Sequence, residues 1–243
     1  MRQMQRAHLA VPLAIALTAG QIGEPAAAAV SAYRAALDRL EHRGGATVAV
    51  VFDRALALNT PLTQPTRELE SIEHLAPADF ARLRSELRRM LINRDEIVFV
   101  RPDPRFFAGL AKQYGKADDV AFFAEYEATY PDGVWASYVQ QQTDYSGCTD
   151  FGSGQLVARY AGWRSYRRRF PRSYVAAAAE RLREIEQEVS GATCTCRDRD
   201  AFLQELRRFE SSFPDSPIQA QVRRRIGDVE HGMPAVRFGC ISG

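Results

Sequence analysis

Lysine is almost absent from this chain: Lys112 and Lys116 are the only two, and every other basic side chain is arginine. Histidine is scarce, and His8, His42, His74 and His231 lie far apart in the sequence. None of them stands in a HExxH or other paired-ligand spacing, so the usual signature of a zinc hydrolase is missing. The GxSxG nucleophile elbow and the GK[ST] phosphate loop are missing too. Gly152-Ser153-Gly154-Gln155 comes nearest to either and reads as a flexible connector. Around Asp144 and Asp150 there is neither the alternation of oxygen ligands nor the glycine of an EF-hand loop. No enzyme, metal or cofactor follows from these residues. An excess of one charge is also lacking, with 32 basic against 30 acidic residues and a formal charge of +2, which gives no global pull towards nucleic acid.

Long apolar runs are few, and the run Leu9 to Ala19 falls short of the roughly 20 residues that span a bilayer. The basic segment Met1 to His8 precedes it and the small-residue tract Ala26-Ala27-Ala28-Ala29 comes after, which is the order of a secretory signal peptide with cleavage near Ala28. Pro12 inside the run argues against a buried N-terminal helix. No cysteine follows the run, so the residues for lipidation are not there. Residues 1–28 are therefore expected to be a leader. The mature chain is expected in the periplasm or outside the cell, without stable membrane insertion. Cys148, Cys194, Cys196 and Cys240 form an even set in a chain bound for an oxidising compartment, and disulfides are the default. Cys194-Thr195-Cys196 lacks the two-residue gap of metal and thioredoxin-type sites, and Cys148 has no histidine nearby to make it a nucleophile.

Apolar residues recur at helical spacing almost throughout. Val30, Tyr33, Leu37 and Leu40 form one stripe that Gly44-Gly45 ends, and Val48, Val51, Phe52, Ala55 and Leu56 form a second ending before Asn59-Thr60-Pro61. A short third helix is expected from Thr66 to about His74, and a fourth from Pro77 carrying Phe80, Leu83, Leu87, Met90 and Leu91. Glu96 to Val100 is the one strand-like segment. It has no obvious partner, which favours a buried helical turn or an extended linker.

From Pro104 onward the pattern changes. Pro131, Pro171 and Pro214 are each preceded by an aromatic residue. Tyr126, Tyr166 and Phe209 stand five positions before them and Phe123, Trp163 and Leu206 eight before. These positions lie on one stripe of a helix, and proline ends that helix at the residue before it. Asp132, Ser173 and Ser216 are then placed to cap a second helix, expected at Trp135 to Gln142, Ala176 to Val189 and Gln219 to Val229. Each pair has an apolar face it cannot bury alone, so the pairs must stack.

At these residues the chain resembles the tetratricopeptide-like repeats of bacterial envelope proteins, such as the outer-membrane assembly lipoprotein and the Tol-Pal-associated periplasmic protein. Tyr126 to Asp132, Tyr166 to Ser173 and above all Phe209 to Pro217 carry the likeness, which covers about Ala117 to His231. The resemblance implies an all-α solenoid over residues 104–243; residues 29–115 carry no such match, and the helical region at 29–103 rests on periodicity alone. It also implies a scaffold or adaptor that binds another envelope or periplasmic protein, and the charge balance argues against a nucleic-acid partner. A periplasmic inhibitor or immunity protein that blocks a toxic or wall-lytic enzyme is the alternative. The lipidated cysteine and the coiled-coil heptads of those relatives are missing here.

Arg167, Arg168, Arg207 and Arg208 align between repeats and are candidates for a groove that takes an acidic partner. Most of the clustered arginines are expected on a solvated outer surface, because three consecutive helix residues span about 200°. The loop Gln140 to Gly154, with Asp144 and Tyr145, is the most unusual stretch, either a binding loop or a lengthened connector. Stacked loops pair the cysteines in sequence order, Cys148 with Cys194 and Cys196 with Cys240. Exchanging Cys194 for Cys196 needs only a small shift, whereas joining these two neighbours makes a strained ring.

Overall fold

The computed structural model describes residues 23–42, 44–64, 71–95, 97–143, 146–233 and 236–240. Most of the expected leader, residues 1–22, lies outside them, as do Asp144 and Tyr145. The first helix, α1, runs Glu24–Glu41 with Val30, Tyr33, Leu37 and Leu40 buried, as the spacing predicts. It begins before the expected cleavage point and buries Ala26. In α2, Val48–Leu56, the Thr47 hydroxyl accepts from the Val50 N–H at 3.3 Å and so closes the first turn.

Two sequence expectations fail between Asn59 and Pro102. The second helix ends before Asn59 as expected and Asn59–Thr63 forms a further short helix, α3, while of the helix expected from Thr66 to about His74 residues 66–70 lie outside the described residues and Ile72–His74 is a 3-10 turn. The helix from Pro77, α4, stops at Glu86, and Arg89 takes a positive φ of 71°. Met90–Asn93 (β1) then pairs antiparallel with Phe99–Pro102 (β2), which puts Leu91 opposite Arg101. The strand partner of the Phe99 segment was hidden in residues whose apolar pattern continues the helix before them.

Asp103 accepts from the N–H groups of Arg105 and Phe106 at 2.9 and 3.3 Å and starts α5, Pro104–Tyr114. At Gly115 the backbone turns so tightly that a Cβ would sit 2.5 Å from the Ala111 carbonyl. The chain then enters α6, Ala117–Thr129, packed against α5. Phe52 of α2 meets Phe107, Phe122, Phe123, Tyr126 and Tyr174 at ring-centroid separations of 5.0–6.0 Å, so one apolar core runs across Asp103.

The helices α6, α7 (Gln155–Arg169) and α9 (Arg199–Ser212) end in the same turn. Tyr130, Phe170 and Phe213 have φ/ψ of −126/73°, −130/67° and −133/63°. Each donates its N–H to the carbonyl four residues back, and each accepts from the residue three ahead at 2.9–3.2 Å. Phe123, Trp163, Leu206 and Phe209 are fully buried, and Tyr126 and Tyr166 nearly so. Beyond this turn the three segments differ. α8 (Val175–Gly191) packs on α7, and α10 (Gln219–Glu230) packs on α9 and α8. After α6 there is no second helix. Asp132 takes the N–H groups of Val134 and Trp135 at 2.9 and 3.0 Å, and the chain becomes β3, Val139–Gln141, paired with β4, Gly147–Thr149. The Ser173 hydroxyl donates to Asp118 at 2.6 Å and caps nothing. The fold is thus mostly helical, with two short hairpins that the all-α expectation did not place.

Gly152-Ser153-Gly154 is a built turn, not a flexible connector. Gly152 and Gly154 have φ of 94° and 79°, and their N–H groups point at the Glu205 carboxylate at 3.1 and 2.9 Å, with Val157 N–H at 3.4 Å. Glu205 is only 1% exposed, and reaching across from α9 it satisfies the free donors at the start of α7.

The disulfides join Cys148 to Cys196 and Cys194 to Cys240, the reverse of the sequence-order pairing. Backbone register decides this. Cys196 N–H donates to the Thr149 carbonyl at 3.1 Å, beside Cys148, and Cys240 N–H donates to the Thr195 carbonyl at 2.9 Å, beside Cys194. The segment around Thr195 therefore lies between β4 and the chain near Arg237, bridged to both. The cysteines cross-link three extended segments, whereas the expectation placed them after stacked helices.

Candidate functional site

α8 buries Ala178, Leu182, Ile185 and Val189, and both of its flanks line clefts. One cleft, of about 490 Å³, lies between α8, the end of α6, the segment before β3, and β2. The other, of about 580 Å³, lies between α8, the end of α7 and the turn before α10. We call them the tyrosine cleft and the arginine cleft.

In the tyrosine cleft Arg181 and Glu184, one turn apart on α8, form an ion pair of 2.7 Å. Arg181 also donates to the Tyr130 oxygen at 2.8 Å, and the Tyr130 hydroxyl donates to Glu184. The Arg181 guanidinium lies over the Tyr130 ring at 5.4 Å. Burial pushes the Glu184 carboxyl above the ordinary glutamate range although Arg181 and Tyr130 pull it down. Burial likewise holds the Tyr130 and Tyr138 phenols well above the ordinary tyrosine value. Arg181, Glu184 and Tyr130 each bond the other two, and the Arg181 Nε is left buried without a hydrogen-bond partner. Around this triad, Tyr126, Tyr138 and Gln187 have no side-chain hydrogen-bond partner among the described residues.

The arginine cleft has an apolar floor of Pro171, Ala179, Leu182 and Pro217. Arg164 forks onto Asp215, with one arm at 2.8 Å, and this hydrogen bonding holds the Asp215 carboxyl below the usual aspartate range, with Arg168 adding to the pull. Tyr160 donates to Glu186 at 2.7 Å, and burial pushes its phenol up to about 12. Arg183 is paired with Glu180. Arg167 and Arg168 are exposed at the rim and hold no ion pair among the described residues.

The four candidate arginines are not brought together in one groove. Arg167 and Arg168 line the arginine cleft, whereas Arg207 is paired with Glu230 of α10 and Arg208 lies against Gly154. Of the Arg223 to Arg225 run, Arg225 points inward. It donates to the Val189 carbonyl at 2.6 Å and to that of Ala192, and stacks over Phe202 at 5.0 Å, closing the C-terminal end of α8. His42 and His231 each bond the carbonyl four residues back, at 2.8 and 2.7 Å, and His74 sits beside Glu73. Among the described residues no group of three histidine, cysteine or acidic side chains is placed to hold a metal, and no helix is long and apolar enough to cross a membrane.

Sequence reasoning missed Tyr130, Tyr138, Arg181 and Glu184. Arg181, Glu184 and Glu188 do recur at intervals of three and four, but that spacing marks any solvated helix face. No protein-family model, curated protein or solved structure matches the chain.

Proposed function

We propose that this chain is an exported helical-repeat binding protein of the tetratricopeptide-like type, and that its arginine cleft takes an acidic segment of another envelope protein. The observation that carries the reading is the pair Arg167 and Arg168, exposed and without an ion pair among the described residues, at a cleft lined by Leu182, Ala179 and two prolines. An acidic peptide with apolar residues at intervals matches both features: its side chains take the floor and its carboxylates the two guanidinium forks. Three identical aromatic-proline helix ends support the repeat assignment, and the two disulfides support an oxidising compartment.

Fluorescence anisotropy with a labelled peptide alternating glutamate and leucine tests it. Saturable binding is expected to weaken several-fold as salt rises from about 50 to 300 mM, because the rim charges are exposed to screening. The double variant Arg167→Glu/Arg168→Glu should abolish binding with helicity unchanged. Equal binding by wild type and the double variant, or tighter binding of the lysine counterpart of the peptide, refutes the assignment.

A further inference from the structure

The tyrosine cleft has a polar lining whose charges balance and whose neutral groups are open. Arg101 and Arg181 face Glu184 and Glu188, two charges of each sign, so the cleft has no excess charge with which to select an ion. An anion finds the two terminal nitrogens of Arg181 already committed to Tyr130 and Glu184, its unpartnered Nε shut off by burial, and Arg101 already donating to the Val134 carbonyl at 3.0 Å. An ammonium group finds the face of Tyr130 covered by Arg181 and Glu184 paired with the same guanidinium, which leaves it one oxygen of Glu188. An apolar ligand would strand the open polar groups, at a cost of about 1–3 kcal/mol for each.

Three of the groups left open are neutral and amphiprotic, and the fourth is a carboxylate oxygen that only accepts. The Tyr126 and Tyr138 rings are 7% and 3% exposed, yet both residues border the cleft and neither hydroxyl has a partner among the described residues. The Gln187 amide is unpaired, and Glu188 uses one carboxylate oxygen, on the Thr149 hydroxyl at 2.7 Å, leaving the other. Hydroxyls and amides both donate and accept, and these residues line a space of about 490 Å³, with Gln187 at its exposed edge. A ligand that complements them is neutral and carries several groups that also donate and accept in a fixed array. That is the chemistry of a sugar ring.

We infer that the tyrosine cleft is a binding site for a sugar unit of a neutral glycan, held by Tyr126, Tyr138, Gln187 and Glu188. The site is separate from the arginine cleft, on the opposite flank of α8.

Titrations monitored by amide NMR test this with two probes, the trisaccharide of β-linked N-acetylglucosamine and maltotriose, and with alanyl-alanine as the zwitterionic competitor. At least one trisaccharide should bind one to one, shift the amides of Tyr138 and Gln187, and show no loss of affinity with salt. Tyr138→Phe and Gln187→Ala remove single hydrogen-bonding groups without touching the core packing, and each should weaken binding about tenfold. The Arg167→Glu/Arg168→Glu protein should bind the sugar as wild type does, so failure of the acidic-peptide reading leaves this result intact. The inference is overturned if neither trisaccharide shifts these amides at about 20 mM. It is equally overturned if Tyr138→Phe/Gln187→Ala binds undiminished, or if the dipeptide binds more tightly than both sugars.

Discussion

Glu205→Ala should be among the most damaging single changes outside the apolar core. The carboxylate is buried on α9 and accepts three backbone N–H groups at the start of α7, from Gly152, Gly154 and Val157. Alanine leaves those donors facing a void that water does not reach from outside. Hydrogen bonds to a charged group are worth about 1.5–3 kcal/mol each, and the contact at Val157, at 3.4 Å, counts for little, so two bonds set the scale. The expected loss is about 4 kcal/mol. At roughly 2–4 °C per kcal/mol for a chain of this size, the melting temperature should fall by about 10 °C. Glu205→Gln keeps one acceptor oxygen but turns an NH2 towards the same donors, and should cost about half as much. Thermal melts by circular dichroism on the oxidised protein give the magnitude. Hydrogen exchange gives the place, with the amides of Gly154 and Val157 losing protection before those of α9. An alanine variant that melts within about 2 °C of wild type would refute the capping role and return the Gly152 turn to a mere connector.

Trp163→Ala should cost about 3–5 kcal/mol, since it empties the core beside Phe122 and removes the indole N–H that donates to Thr129 at 3.0 Å; an unchanged melting temperature contradicts its place in the core. Glu125 has one oxygen buried without a hydrogen bond, facing Arg159 at 3.6 Å, and burial raises its carboxyl above the ordinary value of 4.5 although Arg159 pulls it down. An acid whose folded value is raised stabilises the fold fully below its unfolded value, and that contribution is lost as pH rises through the raised one. Glu125→Gln should therefore flatten the fall of melting temperature above about pH 4.5 and raise it at neutral pH; a variant that keeps the wild-type slope excludes Glu125 as its source. For the disulfides, Cys148→Ala/Cys196→Ala should show no free thiol on denaturation, because it removes one intact bridge, and should lose about 4 kcal/mol in the chain-entropy model. Cys148→Ala/Cys194→Ala splits both bridges, so two free thiols, or a newly formed bridge with a lower melting temperature, are expected; the opposite outcome of the two variants restores the sequence-order pairing.

Helices were legible wherever a local period sufficed. Tyr33 and Leu37, or Trp163 and Tyr166, are buried because their spacing puts them on one stripe, and the proline after Phe170 stops α7 where chain sterics demand. Two-stranded pairings were not legible, because a hairpin is a relation between segments. Met90 and Leu91 continue the stripe of Leu83 and Leu87, and only the positive φ at Arg89, a residue with no tendency to adopt it, turns them into β1. Trp135 to Gln142 failed for the opposite reason. Its repeat neighbours promised a helix, but Asp132 holds a tight turn through Val134 and Trp135 and aims the chain into β3. The cysteine pairing fell with it, since Cys148 belongs to that hairpin and not to a helix end.

The clefts were less legible still, and the reason is physical. A rim arginine can be suspected from its sequence neighbours, but whether it is free depends on an acid far away in the chain. Arg207 and Arg208 are adjacent, and Glu230, 23 residues from Arg207, neutralises only the first. Arg164 belongs to the same arginine-rich helix end as Arg167 and Arg168, yet Asp215, 51 residues on, removes its charge and leaves theirs. In the tyrosine cleft the relation is longer by one step: Tyr130 commits both Arg181 and Glu184, and by doing so leaves Tyr138 and Gln187 as the open groups. The polar groups left open are the remainder of internal pairing, and that remainder exists only in the folded chain.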